Sequence, residues 1–133
     1  MKEKKFHKIL PFLPVRNLRE TLDFYKNSFG FYDDWTLGDK DGGIKRDDLR
    51  LRFGENPDHL KHINSDEHRF ELVWFVENVD EIYAEFKGGK LNIVSDLKNE
   101  AWGIREFTVE DINGYLIRVS ETIQKETSGN AMK

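Results

Sequence analysis

The sequence contains 133 residues, enough for one domain with a buried core, and no cysteine, which excludes disulfide bonds and zinc sites built from thiolates. Its 21 basic residues against 25 acidic ones give a net charge of −4. The basic residues form no stripe, so we expect no nucleic-acid partner. No long apolar run follows Met1, so the sequence predicts neither a signal peptide nor a membrane span, and we expect a cytoplasmic protein.

The first half of the chain predicts the order strand, helix and three strands. Residues 7–15 form an apolar run rich in strand-forming residues. A helix is predicted next, because Asn17 can cap its start, apolar residues recur at steps of four, three and four, and Gly30 can end it. Turn sequences separate the three short runs that follow, at residues 31–38, 42–46 and 49–53.

The second half repeats this order after residues 54–68, which have no clear period and are interpreted as a linker. Residues 70–76 predict a strand. Asn78 repeats the capping signal of the first half, and Gly88 can end the helix that it begins. Three further strands are predicted at residues 91–96, 103–109 and 115–121. Residues 126–133 are polar and are predicted to form a flexible tail.

The two halves also align residue by residue, for example Val15 with Val76. A duplicated strand-helix-strand-strand-strand unit predicts an α+β fold, with a single domain at residues 1–125 made of two repeats, at 7–53 and 70–121. Each helix is expected to cover one face of its curved mixed sheet. The other faces of the two sheets are then expected to enclose a cleft.

Two segments carry a resemblance to a known family: PVRNLRETLDFYKNSFGF near the start and WGIREFTVEDINGYLIRVSE near the end. Together with the βαβββ duplication, they resemble the vicinal oxygen chelate superfamily, which includes glyoxalase I, extradiol dioxygenases and bleomycin resistance proteins. The resemblance extends over residues 7–121. Within that range, the segments KRDDLRLRF, VWFVENVDEIYAEF and WGIREF are most similar to bleomycin resistance proteins.

The resemblance implies where a metal would be bound, because metal-dependent members place one His or Glu on each of four strands. The corresponding positions in this sequence are Leu10, Arg52, Glu71 and Arg118. Only the glutamate can coordinate a cation, so we predict no metal and no cofactor. His59 and His62 have the spacing of a surface pair without a third ligand, and no serine motif predicts a catalytic nucleophile.

Strand alternation predicts which side chains point away from the helices. Arg52 and Arg118 lie on that side of their strands, and so do Glu71, Val73 and Phe75. One interpretation is that the arginines are exposed to solvent or neutralise Glu71. The other is that their guanidinium groups recognise a carboxylate or phosphate, in which case all five residues contact a ligand.

Trp35 and Trp102 are the remaining candidate ligand contacts. Each could simply cover an edge of the core, whereas the resemblance implies that a planar drug stacks on aromatic side chains in a groove shared by two subunits. Acidic residues in the predicted turns would attract a cationic drug, but the arginines would repel it. The resemblance also places Pro11 where an N-terminal arm crosses to a partner, so we expect a homodimer with Pro11 as the hinge of that arm.

These observations predict a metal-free protein that binds and sequesters a small molecule without turnover. The ligand is expected to be an antibiotic of the bleomycin type or a related planar molecule. The alternative is a metal-dependent enzyme of the glyoxalase or dioxygenase type, with an unusual site around Glu71. The binding protein is favoured, because three of the four positions implied for the metal lack a donor atom for a cation.

Overall fold

A computed structural model describes residues 3–123, which contain two four-stranded mixed sheets and three helices. The chain forms two compact units that divide between Leu60 and Lys61. The first unit contains β1 (Phe12–Val15), α1 (Leu18–Ser28), β2 (Tyr32–Leu37), β3 (Asp41–Arg46) and β4 (Leu49–Glu55). A short helix, α2 (Pro57–Ile63), spans the division. The second unit contains β5 (Glu71–Phe75), α3 (Val79–Lys87), β6 (Asn92–Asn99), β7 (Ile104–Glu110) and β8 (Leu116–Thr122).

Both units have the same topology. The strand order is β1-β4-β3-β2 in the first sheet and β5-β8-β7-β6 in the second. In each sheet the first strand along the chain pairs in parallel with the last, and the other pairs are antiparallel. The helix lies between the first and second strands in the chain order of each unit. The predicted α+β fold of two tandem βαβββ modules is therefore confirmed.

The core of the first unit lies between α1 and its sheet. The apolar stripe predicted for α1 is buried, and Tyr25 within it is fully enclosed. The Tyr25 ring contacts those of Phe29, Phe31 and Phe53 at centroid distances of 5.0, 5.4 and 5.1 Å. Burial of one large apolar side chain contributes about 1.5–3 kcal/mol, so this aromatic cluster holds α1 firmly against the sheet.

The core of the second unit is built in the same way from α3 and its sheet. Phe107 of β7 is buried, and its ring centroid lies 5.0 Å from that of Tyr83 and 5.9 Å from that of Phe86, both on α3. Trp74 of β5 pairs in register with Val119 of β8, and both are buried. The alternation predicted for β5 and β8 is therefore observed, with one side of each strand in the core.

The first strand is shorter than the sequence predicts. The strand expected at residues 7–15 begins only at Phe12, so Pro11 precedes the strand and the expectation that it lies in mid-strand is wrong. The Pro11 carbonyl accepts a hydrogen bond of 2.9 Å from the backbone N–H of Arg52. Proline has no N–H to donate to a ladder, which explains a strand that begins after it. Pro14 does lie within β1, where an edge strand tolerates the missing donor.

The segment at residues 54–68, interpreted as a linker, contains the helix α2. The side-chain oxygen of Asn56 accepts a hydrogen bond of 3.1 Å from the backbone N–H of His59, and Pro57 occupies the first helical position, where no N–H is needed. The prediction was wrong because α2 has only seven residues and buries only Leu60, so no apolar period marks it. None of the described helices is long and apolar enough to cross a membrane.

The first module ties the start of its helix to the end of its last strand. Asn17 caps α1 as predicted, since its side-chain oxygen accepts the N–H of Glu20 at 2.8 Å. The Glu55 carboxylate, at the end of β4, accepts the N–H of Leu18 at 2.9 Å and pairs with Lys40 at 2.7 Å. The hydrogen bond from Lys40, followed by that from Leu18, holds the pKa of Glu55 below its ordinary value of 4.5.

The second module uses a different residue for the same purpose, and the predicted cap at Asn78 is wrong. Asn78 has a left-handed backbone conformation with a φ angle of 60°, and its side chain makes no capping hydrogen bond. Instead, the Glu121 carboxylate of β8 accepts the N–H groups of Asn78 at 3.2 Å and of Val79 at 3.0 Å. Glu121 therefore satisfies two donors that the start of a helix otherwise leaves without a partner.

Replacing Glu121 with alanine should lower the free energy of unfolding by about 1 kcal/mol, because two backbone N–H groups lose their acceptor. Urea denaturation followed by circular dichroism measures this loss. Glu77→Ala is the matched control, since it removes the same charge near the same helix end but Glu77 accepts no hydrogen bond from a described residue. Equal losses in both variants would show that charge alone, and not the hydrogen bonds, stabilises this end of α3.

Candidate functional site

One row of residues crosses all four strands of the first sheet on the face opposite α1. Phe12 of β1 pairs in register with Arg52 of β4, and Arg52 pairs with Gly43 of β3. Gly43 in turn pairs with Trp35 of β2. The next residue along β4, Leu51, points the other way and is buried in the core. The set of Phe12, Arg52, Gly43 and Trp35 is named the aromatic row below.

Glycine at position 43 lets the indole of Trp35 lie directly on the sheet. A Cβ atom there would come within 2.6 Å of Trp35 Nε1, closer than side chains approach one another. Phe12 lies close to Gly54 of β4 in the same way, since a Cβ atom there would meet the Phe12 ring at 3.1 Å. The guanidinium carbon of Arg52 lies 4.5 Å from the centre of the Phe12 ring and 5.9 Å from that of Trp35. Two rings therefore lie close to one cation on this face.

Asp41, at the start of β3, balances the charge of Arg52. Arg52 donates from Nε to Oδ1 at 3.1 Å and from Nη2 to Oδ2 at 2.8 Å. The hydrogen bonds of this pair lower the pKa of Asp41 and raise that of Arg52. Arg52 is therefore held in one orientation, and Asp41 is already engaged and contributes little attraction for a cationic ligand.

Two depressions flank the aromatic row, one in each direction along the strands. The first has a volume of about 330 Å³ and lies over Pro14 and Gly54. The second has a volume of about 280 Å³ and lies over Arg50 and Lys45, with Trp35 as part of its wall. A ligand on the aromatic row can therefore extend into either depression.

The open face of the second sheet carries a corresponding ion pair. Arg118 of β8 donates from Nη2 to Glu106 of β7 at 2.8 Å and from Nη1 to Glu71 of β5 at 3.4 Å. The hydroxyl of Ser120 donates to the other oxygen of Glu106 at 2.8 Å. The hydrogen bond to Glu106 is the largest cause that raises the pKa of Arg118. Glu106, which is buried, is thus the main partner of Arg118, and Glu71 is a weaker one.

In the second unit, four of the predicted site residues meet and one stands apart. Glu71, Val73, Phe75 and Arg118 share the open face, where Val73 pairs in register with Arg118 and Phe75 is 60% exposed. Trp102 lies in the turn between β6 and β7 and is 49% exposed. Among residues 3–123, no hydrogen bond, ion pair or ring contact joins Trp102 to the other four.

In the first unit, the structure brings together two of the predicted ligand contacts, Trp35 and Arg52, and it adds residues that sequence reasoning missed. These are Phe12, Gly43 and Asp41. A signal for them was present, because two glycines inside a predicted strand indicate that a ring or a backbone approaches closely. The acidic partner carried no such signal, since its pairing with Arg52 depends on the register of β3 and β4.

The comparison with family models identifies the class of protein. The model of the Glyoxalase/Bleomycin resistance protein/Dioxygenase superfamily matches residues 5–119. This chain therefore belongs to that superfamily, in agreement with the βαβββ duplication and the resemblance found in the sequence.

Solved structures from the same fold are similar over nearly the whole chain. A bleomycin resistance determinant encoded on the transposon Tn5 is 23% identical with a TM-score of 0.71, and the match covers 88% of this chain and 98% of that one. TioX from Micromonospora sp. ML1 is 16% identical with a TM-score of 0.67, covering 91% and 100%. A lactoylglutathione lyase from Agrobacterium tumefaciens is 16% identical with a TM-score of 0.68, covering 89% and 96%. At these identities the similarity shows the fold alone. A search of curated protein sequences finds no match.

The four positions implied for a metal do not provide a suitable set of ligands. Leu10 has no donor atom, and Arg52 and Arg118 are cations held by carboxylates. Glu71 is the remaining position, and its carboxylate faces Arg118 at 3.4 Å. Within residues 3–123, no group of three or more His, Cys, Asp or Glu side chains could hold a metal ion. The arrangement is suited to stacking and hydrogen bonding, and these residues supply no coordination sphere for a Lewis acid.

Replacing Gly43 with alanine should displace the indole of Trp35 and leave the fold intact, because the new Cβ would lie 2.6 Å from Nε1 of a side chain that can swing outward. Iodide quenching of tryptophan fluorescence in a Trp102→Phe background measures the displacement, since Trp74 is buried. We expect stronger quenching. Gly89→Ala is the control, because the nearest atom there is 3.6 Å away. Unchanged quenching in Gly43→Ala would contradict the close approach of the indole to the sheet.

Proposed function

We propose that this protein binds a planar small molecule, without altering it chemically, and so sequesters it. The observation that carries the proposal is the aromatic row, in which Trp35 and Phe12 lie on either side of the Arg52 guanidinium. Trp35 is 44% exposed and Phe12 is 57% exposed, so both rings have area left for a ligand. Gly43 and Gly54 lie beneath the two rings, so the rings rest directly on the sheet. Because the rings are already held in place, less side-chain entropy is lost when a ligand binds.

A flat aromatic ligand suits this surface for physical reasons. Stacking on an indole or phenyl ring contributes about 0.5–1.5 kcal/mol beyond the burial of area, which itself contributes about 25 cal/mol per Å². Arg52 is held by Asp41, which balances its positive charge. The guanidinium therefore offers a ligand its flat face with little net charge. At the row itself, the site therefore selects for ring area and planarity more than for charge.

The superfamily supports a particular class of ligand. A bleomycin resistance determinant shares the fold, and we propose that the ligand here is an antibiotic of the bleomycin type or a related planar molecule, held stoichiometrically. Within the second unit by itself, we propose Val73, Phe75 and Trp102 as apolar ligand contacts and Glu71 with Arg118 as polar ones. Protection follows from binding alone, so no catalytic residue and no cofactor are assigned.

We also propose that the protein is a homodimer in which Pro11 is the hinge of an N-terminal arm. Phe6 and Ile9 on this arm are 95% and 94% exposed. Two large apolar side chains that are so fully exposed to water favour burial against another surface. The superfamily supports a second copy of this chain as the partner that buries them. The edge strand β1 begins directly after Pro11, so a change of direction at the proline would carry the arm away from its own sheet.

Trp35→Ala should weaken binding of a neutral planar compound such as 2-naphthamide by about ten-fold or more, because the largest ring of the aromatic row is lost. Isothermal titration calorimetry measures the change. Trp102→Ala is the matched control for this small compound, since it removes an equally exposed tryptophan outside the row. With metal-free bleomycin, Trp35→Ala should also bind more weakly than the parent protein.

Wild-type affinity for 2-naphthamide in Trp35→Ala would contradict a binding surface on the aromatic row. Elemental analysis of the purified protein addresses the enzymatic alternative, which the similarity to a lactoylglutathione lyase raises. A stoichiometric transition metal that is lost in Glu71→Gln would favour the metal-dependent enzyme and contradict the proposal.

Replacing Phe6 and Ile9 together with serine should convert the dimer to a monomer, because the apolar side chains of the arm are the ones that a partner would cover. Size-exclusion chromatography with light scattering measures the molar mass. The variant with Lys4 and Lys5 replaced by serine changes the same arm without removing apolar area and should remain dimeric. A wild-type chain that is monomeric at high concentration would contradict the dimer.

A further inference from the structure

The depression beside Trp35 contains more positive charge than its surroundings balance. Lys8, Lys45, Arg50 and Asp33 all line it. Lys45 lies 3.7 Å from Asp33, a weak contact because the Asp33 side chain is 70% exposed. Lys8 and Arg50 form no ion pair and no hydrogen bond with a described residue. Arg50, which belongs to the sheet itself, is thus a positive charge without a partner next to an exposed indole, and Lys8 adds a second one while the arm lies over its own sheet.

The depression on the other side of the aromatic row is balanced. Lys40 pairs with Glu55 at 2.7 Å, and Arg52 pairs with Asp41 at 2.8 Å. The Glu55 carboxylate also accepts a backbone N–H from the start of α1. The charges around this first depression therefore satisfy one another, and the excess of positive charge lies on the other side of the row.

The register of the sheet fixes the distance between the aromatic row and two cations of this depression, Lys45 and Arg50. Lys45 of β3 and Arg50 of β4 lie directly opposite each other in the register of the two strands. They are two residues along these strands from Gly43 and Arg52, which are also opposite each other. Two residues of a strand span about 7 Å. Both cationic side chains are long and flexible, so they can reach an acidic group attached to a ring that is stacked on Trp35.

We infer, on the basis of the proposed binding function, that the ligand is a planar aromatic acid whose ring stacks on Trp35 and whose anionic group is held by Arg50 and Lys45. A carboxylate, sulfonate or phosphate accepts charge-assisted hydrogen bonds from both side chains. A neutral ligand of the same shape lacks these contacts, and a cationic ligand is repelled by the same charges. The preferred ligand therefore has the charge opposite to that of a cationic drug.

Calorimetry with three naphthalene compounds that share one ring system tests the inference. We expect 2-naphthoate to bind about ten-fold more tightly than 2-naphthamide, and 2-(aminomethyl)naphthalene to bind most weakly. High salt should reduce the preference for the acid, because Arg50 is exposed and Lys45 is partly exposed, so that salt screens their charges. Arg50→Ala combined with Lys45→Ala should lower the affinity for 2-naphthoate to that for the amide and change the amide by less than about two-fold.

Lys61→Ala combined with Lys90→Ala is the matched control, since both lysines are exposed and neither pairs with a described residue. This variant has the same net charge as the test variant and should keep the preference for the acid. Loss of the preference in the control would show that overall charge, and not the depression, attracts the acid.

The outcomes separate this inference from the proposed function. Equal binding of the acid and the amide, with both lost in Trp35→Ala, would overturn the inference and keep the function. Binding of 2-naphthoate that depends on Arg50 and Lys45 but survives in Trp35→Ala would overturn the inference, because the ring would not be stacked on the indole. No binding of any of the three compounds would overturn both.

Discussion

The pairing of an arginine with a carboxylate on the open face of each sheet constrains what these faces can bind. Arg52 is held by Asp41 in the first unit, and Arg118 is held by Glu106 in the second. The two acids occupy equivalent places in the two sheets. Asp41 lies opposite Gly54 and Glu106 lies opposite Ser120, and each of these partners comes two residues after the arginine on its strand. Because the arginines engage these acids, few oxygen atoms remain for a cation, and recognition passes to the rings and to the cations that have no acid of their own.

The two modules share this pairing and differ in what surrounds it. In the first sheet, Gly43 leaves room for the indole of Trp35 to lie across the strands. In the second sheet the place of that glycine is taken by Thr108, and its partner on β6 is Ser95. Thr108 occupies the space that Gly43 leaves open in the first sheet, and the second face carries Val73 and the exposed ring of Phe75. Duplication has thus produced two faces with a similar ion pair, of which the first has room for an indole lying across its strands.

The sequence predicts the features that depend on short-range periodicity. It fails to predict a hydrogen bond or an ion pair whose partner lies far away along the chain. Helical steps and strand alternation predict the order of elements and the side of each strand that faces the core. The helix α2 was missed because only Leu60 is buried in it. The pattern around Asn78 predicts a cap, whereas the true acceptor, Glu121, lies 43 residues away along the chain. Glu71, which the sequence offers as one partner of Arg118, does contact it at 3.4 Å, but the nearer partner, Glu106, cannot be read from the sequence of a single strand because the register of β7 and β8 decides it.

The carboxylates that end β4 and β8 also bear on the order of events during synthesis. Glu55 and Leu18 are 37 residues apart, and Glu121 and Val79 are 42 apart, so each helix obtains at least one acceptor for its first turn from the far end of its module, in α1 alongside the local cap Asn17. A nascent module must therefore expose nearly its full length from the ribosome before the first turn of its helix has all of these acceptors. The amino-terminal repeat reaches that point while its counterpart is still being translated, which lets the duplicated chain fold as two successive steps and shortens the stretch left exposed at any moment.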